Sequence, residues 1–459
     1  MWLKKAERER DKVRGQLDGW DRDHSWHPFT QMKEYLSHEP LHVEKAKGCW
    51  LFDGEGRHYL DTNASVWTNV HGHNDPELNE ALTAQLGRVA HSTYLGLSHP
   101  VGAELGRRLC EAAPRGLARV TYSDNGSNAI EIALKQSFQH WQQVGRPEKR
   151  LVVGLEGGYH GDTFGAMSVG GSDGFHGRFG AWKFASRRVP APICQEVNGV
   201  VTREESRRSL ECLEQVLESE GGKIAAVILE PWVQGPAGMR MQPKGFLKMV
   251  EALCRSFGAH LILDEVFVGF GRMGGLFVCE AEGVRPDFLC LAKGLAAGYL
   301  PLAATLTTTE IFESFWGDFE SGRGFYHGHT FTGNPLAAAV ALKSLEKLER
   351  LIGSGRLDRA IAGFGERVSK LERHPKVRSA RQRGMAAAID LYPGGDDANA
   401  WQLNDRMGMK VCLTGRKHGL LLRPLMDSIL LVPPLVISER EQDFLFENLE
   451  ISINETLGN

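Results

Sequence analysis

The chain has 459 residues, of which 54 are Lys or Arg and 57 are Asp or Glu, so its formal net charge is −3. This balance argues against broad electrostatic binding to nucleic acid or to an anionic membrane. Hydrophobic residues make up 42% and charged residues 24%, which is typical of globular proteins and excludes a largely disordered chain. No run of 18 consecutive apolar residues occurs, so no membrane-spanning helix is predicted.

The N-terminus and the cysteines together predict a cytoplasmic protein. The first twenty residues lack the apolar core of a secretory signal and contain acids that transit peptides avoid, so neither kind of targeting segment is predicted. We expect this charged segment to form a short exposed helix. The eight cysteines form no CxxC pair and no metal-finger spacing, which favours buried free thiols in a reducing compartment. They are Cys49, Cys110, Cys194, Cys212, Cys254, Cys279, Cys290 and Cys412.

Helical stretches alternate with short apolar runs between about residues 75 and 340. This pattern is typical of a parallel sheet covered by helices on both faces, so we predict an α/β domain over residues 75–340. Residues 1–74 and 341–459 are predicted to form a second, smaller α+β domain, with a hairpin in 41–61 and helices over 336–351 and 439–457. The predicted strands of the large domain include residues 119–123, 151–153, 224–230, 260–264 and 288–292.

Open parallel sheets bind ligands at the carboxyl ends of their strands, so the residues after each predicted strand are the candidates for chemistry. Gly126 and Ser127 follow the strand at 119–123 and open a helix, where unpaired N–H groups and a hydroxyl suit a phosphate. The alternative is a plain helix N-cap. Tyr159 lies between glycines after the next strand and offers a ring that can stack on a planar ligand, or simply pack on the core.

Two charged residues end later strands. Asp264 lies at the inner end of a buried strand and needs a cationic partner, either a protonated ring nitrogen or a side chain such as Arg272. Lys293 follows an apolar strand and precedes small residues, so burial can lower its pKa and favour Schiff-base chemistry, although most lysines are solvated surface charges. A phosphate site, a stacking ring, an acid and a lysine 29 residues beyond that acid are together what pyridoxal 5′-phosphate needs.

The sequence around these residues resembles the class III pyridoxal-phosphate aminotransferases. The motifs that carry the resemblance are residues 261–266, 269–272, 286–287 and 292–294. The resemblance implies fold type I, in which a large domain with a mostly parallel seven-stranded sheet binds the cofactor beside a smaller α+β domain. It also implies a homodimer whose active sites are shared between the subunits.

Further motifs are similar to the branch of this class that acts in biotin synthesis: residues 26–32, 70–73, 157–163, 165–169, 327–331 and 422–424. That similarity implies transfer of an amino group from S-adenosylmethionine or lysine to the keto acid 8-amino-7-oxononanoate, giving 7,8-diaminononanoate. A general ω-amine:pyruvate aminotransferase is the alternative within the class. A binding protein without activity is the alternative outside it, but Lys293 and Asp264, whose loss would indicate decay, are both present.

The resemblance assigns roles residue by residue. The catalytic residues are expected to be Lys293, as Schiff-base lysine and proton shuttle, Asp264, as partner of the ring nitrogen, and Tyr159, over the ring. The cofactor-binding residues are expected to include Gly126, Ser127, His329 and Thr330, with Thr330 reaching across from the partner subunit. The substrate-binding residues are expected to include Trp67, Tyr159, Gly328, Arg423, Phe29 and Val66.

Arg423 matches the arginine that binds the substrate carboxylate, since a guanidinium fits that group in bidentate fashion. A structural ion pair is the alternative for this residue. Phe29 stands where many family members have Tyr, and Val66 where many have Trp. Because both positions border the donor side of the pocket, the amino donor stays open among S-adenosylmethionine, lysine and another amine.

Overall fold

The computed structural model describes residues 2–197, 200–392, 401 and 405–458. The chain forms two compact units: Met1–Ala46 with Leu51–His58, and Lys47–Trp50 with Tyr59–Asn459. The division into domains of residues 75–340 and of 1–74 with 341–459 stays a prediction. Five of the eight cysteines are buried, as the sequence predicts for thiols of this kind.

The first unit begins with the helix Trp2–His24, whose 23 residues make it longer than the short helix predicted from the sequence. The carboxylate of Asp21, near the end of this helix, accepts hydrogen bonds from the Tyr35 hydroxyl at 2.6 Å and lies 2.9 Å from His27 Nε2. The hydrogen bond from Tyr35 is the main reason why the pKa of Asp21 is lowered. These contacts fold the segment after the helix back against it.

The second unit contains a seven-stranded sheet, as the family resemblance implies. Ala303–Thr308 runs antiparallel to both neighbours, and the four pairings from Phe288–Leu291 to the far edge are parallel. In spatial order the strands are Leu117–Ser123, Ala303–Thr308, Phe288–Leu291, His260–Asp264, Ile224–Leu229, Leu151–Leu155 and Arg187–Val189. Five of them are predicted from the sequence, whereas Ala303–Thr308 and the short edge strand Arg187–Val189 are not.

The central strands of this sheet are buried on both faces. Every residue of Ile224–Leu229, His260–Asp264 and Phe288–Leu291 is buried, which explains their continuous apolar sequences. The helix Gly126–Gln143 covers one face with Ala129, Ile130 and neighbouring residues. Removing this apolar surface from water is the main stabilising contribution to the sheet, and it leaves the strand ends as the open edge.

A smaller antiparallel sheet lies in the C-terminal part of the second unit. Its strands, in spatial order, are Val377–Arg383, Ala386–Leu391, Ser428–Leu431 and Arg423–Leu425. The helix Glu439–Leu457 begins at a capping box, in which the Ser438 hydroxyl and the Glu441 carboxylate each bind the other residue's backbone N–H. The predicted helices over 336–351 and 439–457 are confirmed as Pro335–Gly353 and Glu439–Leu457.

The other helices are Met32–Tyr35, Pro76–Leu86, Pro100–Ala112, Phe164–Val169, Asp173–His176, Arg207–Glu220, Phe246–Ser256, Val278–Ala281, Thr309–Ser314, Arg356–Leu371 and Met407–Lys417. The other strands are Val43–Lys47, Trp50–Asp53, His58–Asp61, Ile193–Val197, Val200–Glu205, Val233–Gln234, Arg240–Met241 and Leu420–Leu421. Among the described residues, no helix is long and apolar enough to cross a membrane.

Candidate active site

The register of the sheet gathers the predicted residues at one edge. Asp264 pairs with Cys290 in the parallel ladder, so it lies just before the level at which Lys293 leaves the neighbouring strand. Glu230 ends the strand on the other side of Asp264. Because the carboxyl ends of parallel strands share an edge, residues far apart in sequence line one cleft.

The helix Gly126–Gln143 presents its N-terminus at this edge, and the Ser127 hydroxyl lies on its first turn. Asn125 caps the helix by accepting the Asn128 N–H at 3.0 Å, so Ser127 is not the N-cap residue. The Ser127 Oγ instead accepts the Thr163 N–H at 3.1 Å and lies 2.7 Å from the Thr163 hydroxyl. A helix N-terminus with an adjacent hydroxyl can hold a phosphate.

Glycines bring the backbone close around this helix end. A Cβ at Gly126 would lie 2.6 Å from Val266 Cγ1, and one at Gly161 would lie 2.3 Å from Ser127 Oγ. Gly161 also has a φ of +112°, in the left-handed region that favours glycine. A larger residue at either position would therefore displace Ser127 or Val266 from the cleft.

Asp264 is 5% exposed and makes two contacts within the protein. Its Oδ1 accepts the Val266 N–H at 3.1 Å, and its Oδ2 lies 2.7 Å from His160 Nδ1. Arg272, the alternative partner, instead donates to the carbonyls of Met385 and Pro433 at 3.1 and 2.6 Å. The buried acid therefore has a histidine neighbour, and Arg272 has a separate structural role.

Lys293 is half-buried at the start of a 3-10 turn, Lys293–Ala296, with a φ of +41°. Burial lowers its pKa from 10.5, and the negative charges of Asp264 and Glu230 oppose that shift. Its Nζ lies 5.1 Å from the centroid of the Trp67 ring. A lysine in this environment keeps more of its amine neutral and nucleophilic than a solvated lysine does.

Glu230 is buried and accepts two backbone hydrogen bonds, from the Tyr159 N–H at 3.0 Å and the Gly235 N–H at 3.0 Å. Burial is the main reason why its pKa rises from 4.5 to about 7: the nearby Asp264 charge acts in the same direction, and His160 and the two N–H donors act in the opposite one. Glu230 thus anchors the loop that carries Tyr159.

The Tyr159 ring is held by two further residues. Its hydroxyl donates to Asp162 Oδ2 at 2.8 Å, and its ring stacks on His176 with centroids 5.5 Å apart. His176 Nε2 lies 2.9 Å from the other oxygen of the Asp162 carboxylate. Burial and the Asp162 charge raise the pKa of the Tyr159 hydroxyl well above its usual value, so the phenol stays neutral.

Of the segment 327–331, His329 is the residue that lies near the N-terminus of the helix Gly126–Gln143. His329 Nδ1 lies 3.0 Å from Asp124 Oδ2, just before Gly126. Gly328 is exposed. It lies close to Leu95, since a Cβ on Gly328 would be 2.7 Å from Leu95 Cδ2. Thr330 is exposed, and its predicted contact with a cofactor in the partner subunit stays a prediction.

The predicted substrate residues lie in different parts of the chain. Trp67 is buried and packs on Phe267 with ring centroids 4.3 Å apart, while Val66 is 46% exposed. Arg423 is exposed and begins a strand of the smaller sheet. Phe29 belongs to the first compact unit and is exposed with a φ of +51°, so its place on the donor side of the pocket stays a prediction.

Three residues of the site carry contacts that the sequence analysis does not assign. Glu131 Oε1 accepts the Thr163 hydroxyl at 2.5 Å and the Gly165 N–H at 2.7 Å, which fixes the loop beside Ser127. His160 contacts Asp264, and Glu230 anchors Tyr159. Only Glu131 has a local signal, since it follows Ser127 by one helical turn and the two share a face.

These residues fit pyridoxal 5′-phosphate. The buried His160 Nε2 has no hydrogen-bond partner within the described residues, which is consistent with a further group in this cleft. A helix N-terminus with Ser127 suits the phosphate, Asp264 suits a protonated ring nitrogen, and Lys293 suits the aldehyde.

Comparison with known proteins decides the family. The sequence model of the family "Aminotransferase class-III" matches residues 32–453. The chain is a class III aminotransferase. It is 46% identical over 96% of its length to the adenosylmethionine-8-amino-7-oxononanoate aminotransferase of Geobacter sulfurreducens, and the match covers 98% of that protein. It is 43% identical over 96% of its length to the enzyme of the same name from Aquifex aeolicus, covering 97% of that chain.

The fold of this aminotransferase agrees with solved structures of related enzymes. The adenosylmethionine-8-amino-7-oxononanoate aminotransferase of Methanocaldococcus jannaschii superposes with a TM-score of 0.90 at 36% identity, covering 96% of this chain and 99% of that one. An amine transaminase from an uncultivated Pseudomonas species, solved in its PLP-bound form, gives 0.87 at 30% identity, covering 95% and 99% of the two chains. The predictions of fold, enzyme class and cofactor are confirmed.

As a pyridoxal 5′-phosphate-dependent aminotransferase, the protein needs a base and a buried acid at the cofactor. The cofactor supplies an electron sink for the carbanion formed at the substrate carbon. We expect the Lys293 amine to move a proton to and from that carbon, and the Asp264 carboxylate to hold the proton of the ring nitrogen. The assignment of these roles to individual residues stays a prediction.

Lys293→Ala is expected to reduce turnover by at least about 10²–10⁴-fold, because the principal base for the proton transfer is then missing. Steady-state transamination by the holoenzyme measures the loss. Lys248→Ala, which removes an exposed lysine paired with Glu251, serves as the control and should keep normal turnover. Normal turnover in Lys293→Ala would show that another group moves the proton.

Glu230 makes the free energy of unfolding depend on pH. Its pKa is about 7 in the folded chain and 4.5 in the unfolded chain, so its stabilising effect is complete below pH 4.5 and is lost as pH rises to about 7. At 1.36 kcal/mol per unit, the loss is about 3 kcal/mol. Urea unfolding of wild type and Glu230→Gln between pH 5 and 8 tests this contribution.

In Glu230→Gln, the part of the decline in the free energy of unfolding that comes from Glu230 should be absent. Glu218→Gln, a change at an exposed glutamate, should keep the wild-type dependence on pH. Identical pH profiles for wild type and Glu230→Gln would mean that Glu230 is ionised throughout this range.

Proposed function

We propose that this aminotransferase transfers an amino group to 8-amino-7-oxononanoate and forms 7,8-diaminononanoate, a step of biotin biosynthesis. The observation that carries the proposal is the side chain of Arg423. It is exposed and forms no hydrogen bond or ion pair with any described residue, which weakens the alternative of a structural ion pair. An unpaired guanidinium suits the terminal carboxylate of this keto acid.

The relatives support this acceptor over pyruvate. Enzymes named adenosylmethionine-8-amino-7-oxononanoate aminotransferase are 40–46% identical over at least 93% of this chain in several bacteria. The ω-transaminase of Pseudomonas jessenii, with a TM-score of 0.88, is 26% identical. The ω-amine:pyruvate reaction is therefore the weaker proposal.

In this proposal each residue acts on a different part of the substrate. Arg423 binds the terminal carboxylate, Trp67 lines the apolar chain, and Lys293 acts at the keto carbon that receives the amino group. The cycle has two halves that use the same residues, because the donor leaves its amino group before the acceptor enters. The amino donor is S-adenosylmethionine or lysine, and Val66 borders its side of the pocket.

We also propose that the enzyme is a cytoplasmic homodimer with shared active sites. Large apolar side chains are exposed around the segment that carries Gly328 and Thr330: Leu95 is 60%, Phe319 90% and Phe331 58% exposed. Exposed apolar surface of this kind is typical of a face that a partner covers. A second copy seated there fits the expectation that Thr330 contacts a cofactor in the partner subunit.

The half-reaction with 7,8-diaminononanoate, the product formed from the proposed acceptor, tests the proposal directly. We expect 7,8-diaminononanoate, added to the holoenzyme without any acceptor, to convert the visible absorption of bound pyridoxal phosphate into that of pyridoxamine phosphate. Conversion by a simple ω-amine but not by 7,8-diaminononanoate would favour the ω-amine:pyruvate alternative. A protein that binds no chromophore even with added cofactor would contradict the whole assignment.

Arg423→Ala is expected to weaken transition-state binding of 8-amino-7-oxononanoate by about 1.5–3 kcal/mol, the range for a hydrogen bond to a charged group. The ratio of kcat/KM between wild type and variant measures this loss. Arg423→Lys keeps the charge without the bidentate geometry, so it should recover part of the loss. Unchanged kinetics with the keto acid would assign Arg423 a structural role.

A further inference from the structure

Four consecutive residues that are not glycine have a left-handed backbone. Ala64, Ser65, Val66 and Trp67 have φ values of +41°, +46°, +65° and +73°. This conformation is strained for any residue with a Cβ, and the β-branched Val66 adopts it least easily. Such strain persists only where the surrounding structure holds the segment in place, and it concentrates at functional sites.

The Asp61 carboxylate holds this left-handed turn through hydrogen bonds. Asp61 is fully buried, with 0% of its surface exposed. Its Oδ2 accepts the Ser65 hydroxyl at 2.9 Å, and its Oδ1 accepts the Asn63 N–H at 3.2 Å. His73 Nε2 lies 2.9 Å from Asp61 Oδ2 and so holds the carboxylate from the other side.

The same network reaches the turn that carries the catalytic lysine. Asn69 Nδ2 lies 2.8 Å from His73 Nδ1, so these two residues extend the Asp61 contacts. The Asn69 Oδ1 occupies the place where a side chain of Gly298 would lie, since a Cβ there would be 1.6 Å away. Gly298 follows the turn Lys293–Ala296, so the residues just after the two turns lie against each other.

The left-handed turn directs the Trp67 indole toward the cleft. Trp67 Nε1 donates to Asn63 Oδ1 at 2.8 Å, and the ring packs on Phe267. Lys293 Nζ lies 5.1 Å from the centroid of the Trp67 ring. A relaxed backbone at residues 64–67 would move this ring, because side-chain direction follows φ and ψ.

We propose that Asp61 is a positioning residue: by holding the left-handed turn Ala64–Trp67, it places the Trp67 indole beside the Lys293 amine. Trp67 and Phe267 there form an apolar wall, 5.1 and 6.0 Å from the Lys293 Nζ to the ring centroids, and we call the space along this wall the apolar channel. Asp61 acts through Trp67, since its hydrogen bonds go to Asn63, Ser65 and His73. The identity of the apolar substrate rests on the proposed function, whereas the role of Asp61 applies to any amine that enters the channel.

A double-mutant cycle tests this role. Single-turnover reaction of the holoenzyme with 7,8-diaminononanoate, and separately with hexylamine, is followed by cofactor absorbance to give a half-saturating concentration and a limiting rate. Asp61→Asn should raise the half-saturating concentration about tenfold in the wild-type background, as expected for one lost hydrogen bond to a charged group. In the Trp67→Ala background the same change should raise it less than twofold, because the ring that Asp61 positions is absent.

The outcomes separate this proposal from the proposed function. Equal fold-changes in both backgrounds would assign Asp61 a general structural role and overturn the inference. If the enzyme reacts with hexylamine but not with 7,8-diaminononanoate, the proposed substrate is contradicted. The role of Asp61 is still supported if Asp61→Asn raises the half-saturating concentration of hexylamine only when Trp67 is present. A fall in limiting rate with no change in half-saturating concentration would also overturn it, since the channel would then be intact.

Two further variants keep the test decisive. If Asp61→Asn does not yield folded protein, Ser65→Ala removes one of the hydrogen bonds and should give a smaller increase with the same dependence on Trp67. Asp75→Asn is the matched control, because Asp75 is half-buried and also accepts two backbone N–H groups, from Glu77 and Leu78. An equal increase in the Asp75→Asn control would show that the effect comes from general destabilisation and would overturn the proposal.

Discussion

The active site depends on keeping three ionisable side chains, Asp264, Glu230 and Lys293, in one poorly solvated cleft. A carboxylate inside a protein is unfavourable unless hydrogen bonds or opposite charges compensate for the lost water. Asp264 has the Val266 N–H and His160, and Glu230 has two backbone N–H donors. Their negative charges face Lys293, whose pKa burial lowers, so the site holds an amine that exchanges protons readily.

Strained backbone is the second constraint on this site. Lys293 and Trp67 both have positive φ, although neither is glycine. The fully buried strands beside them supply the stability that such strain requires, since a close-packed core leaves the loops little freedom to relax. The large sheet therefore supports the turn that begins at Lys293, and the Asp61 contacts support the turn that carries Trp67.

The family and the substrate rest on different parts of the molecule. Asp264 and Lys293, the residues predicted to hold the cofactor, lie at the carboxyl-terminal edge of the large sheet. The proposed carboxylate site, Arg423, lies on the smaller sheet. The residue proposed to bind the substrate carboxylate is therefore separate from those predicted to hold the cofactor, so one fold can serve several substrates.

The sequence by itself determined the elements that depend on local pattern. Continuous apolar runs predicted five strands of the large sheet. The residues that follow these runs supplied a phosphate site, a stacking ring, an acid and a lysine, which together indicated the cofactor, because each signal lies within a few adjacent residues. The edge strand Arg187–Val189 has no apolar run of this kind, since one side of it lacks a neighbouring strand.

Only the tertiary structure decided the partners of the buried charges. The pairing of His160 with Asp264 spans 104 residues, and that of Tyr159 with Glu230 spans 71, so no local pattern could reveal either. The left-handed turn at residues 64–67 was equally hidden, because none of its residues is glycine and local preference opposes it. Contacts between distant segments override such preferences, since burial and hydrogen bonding in the assembled fold outweigh the cost of a few strained residues.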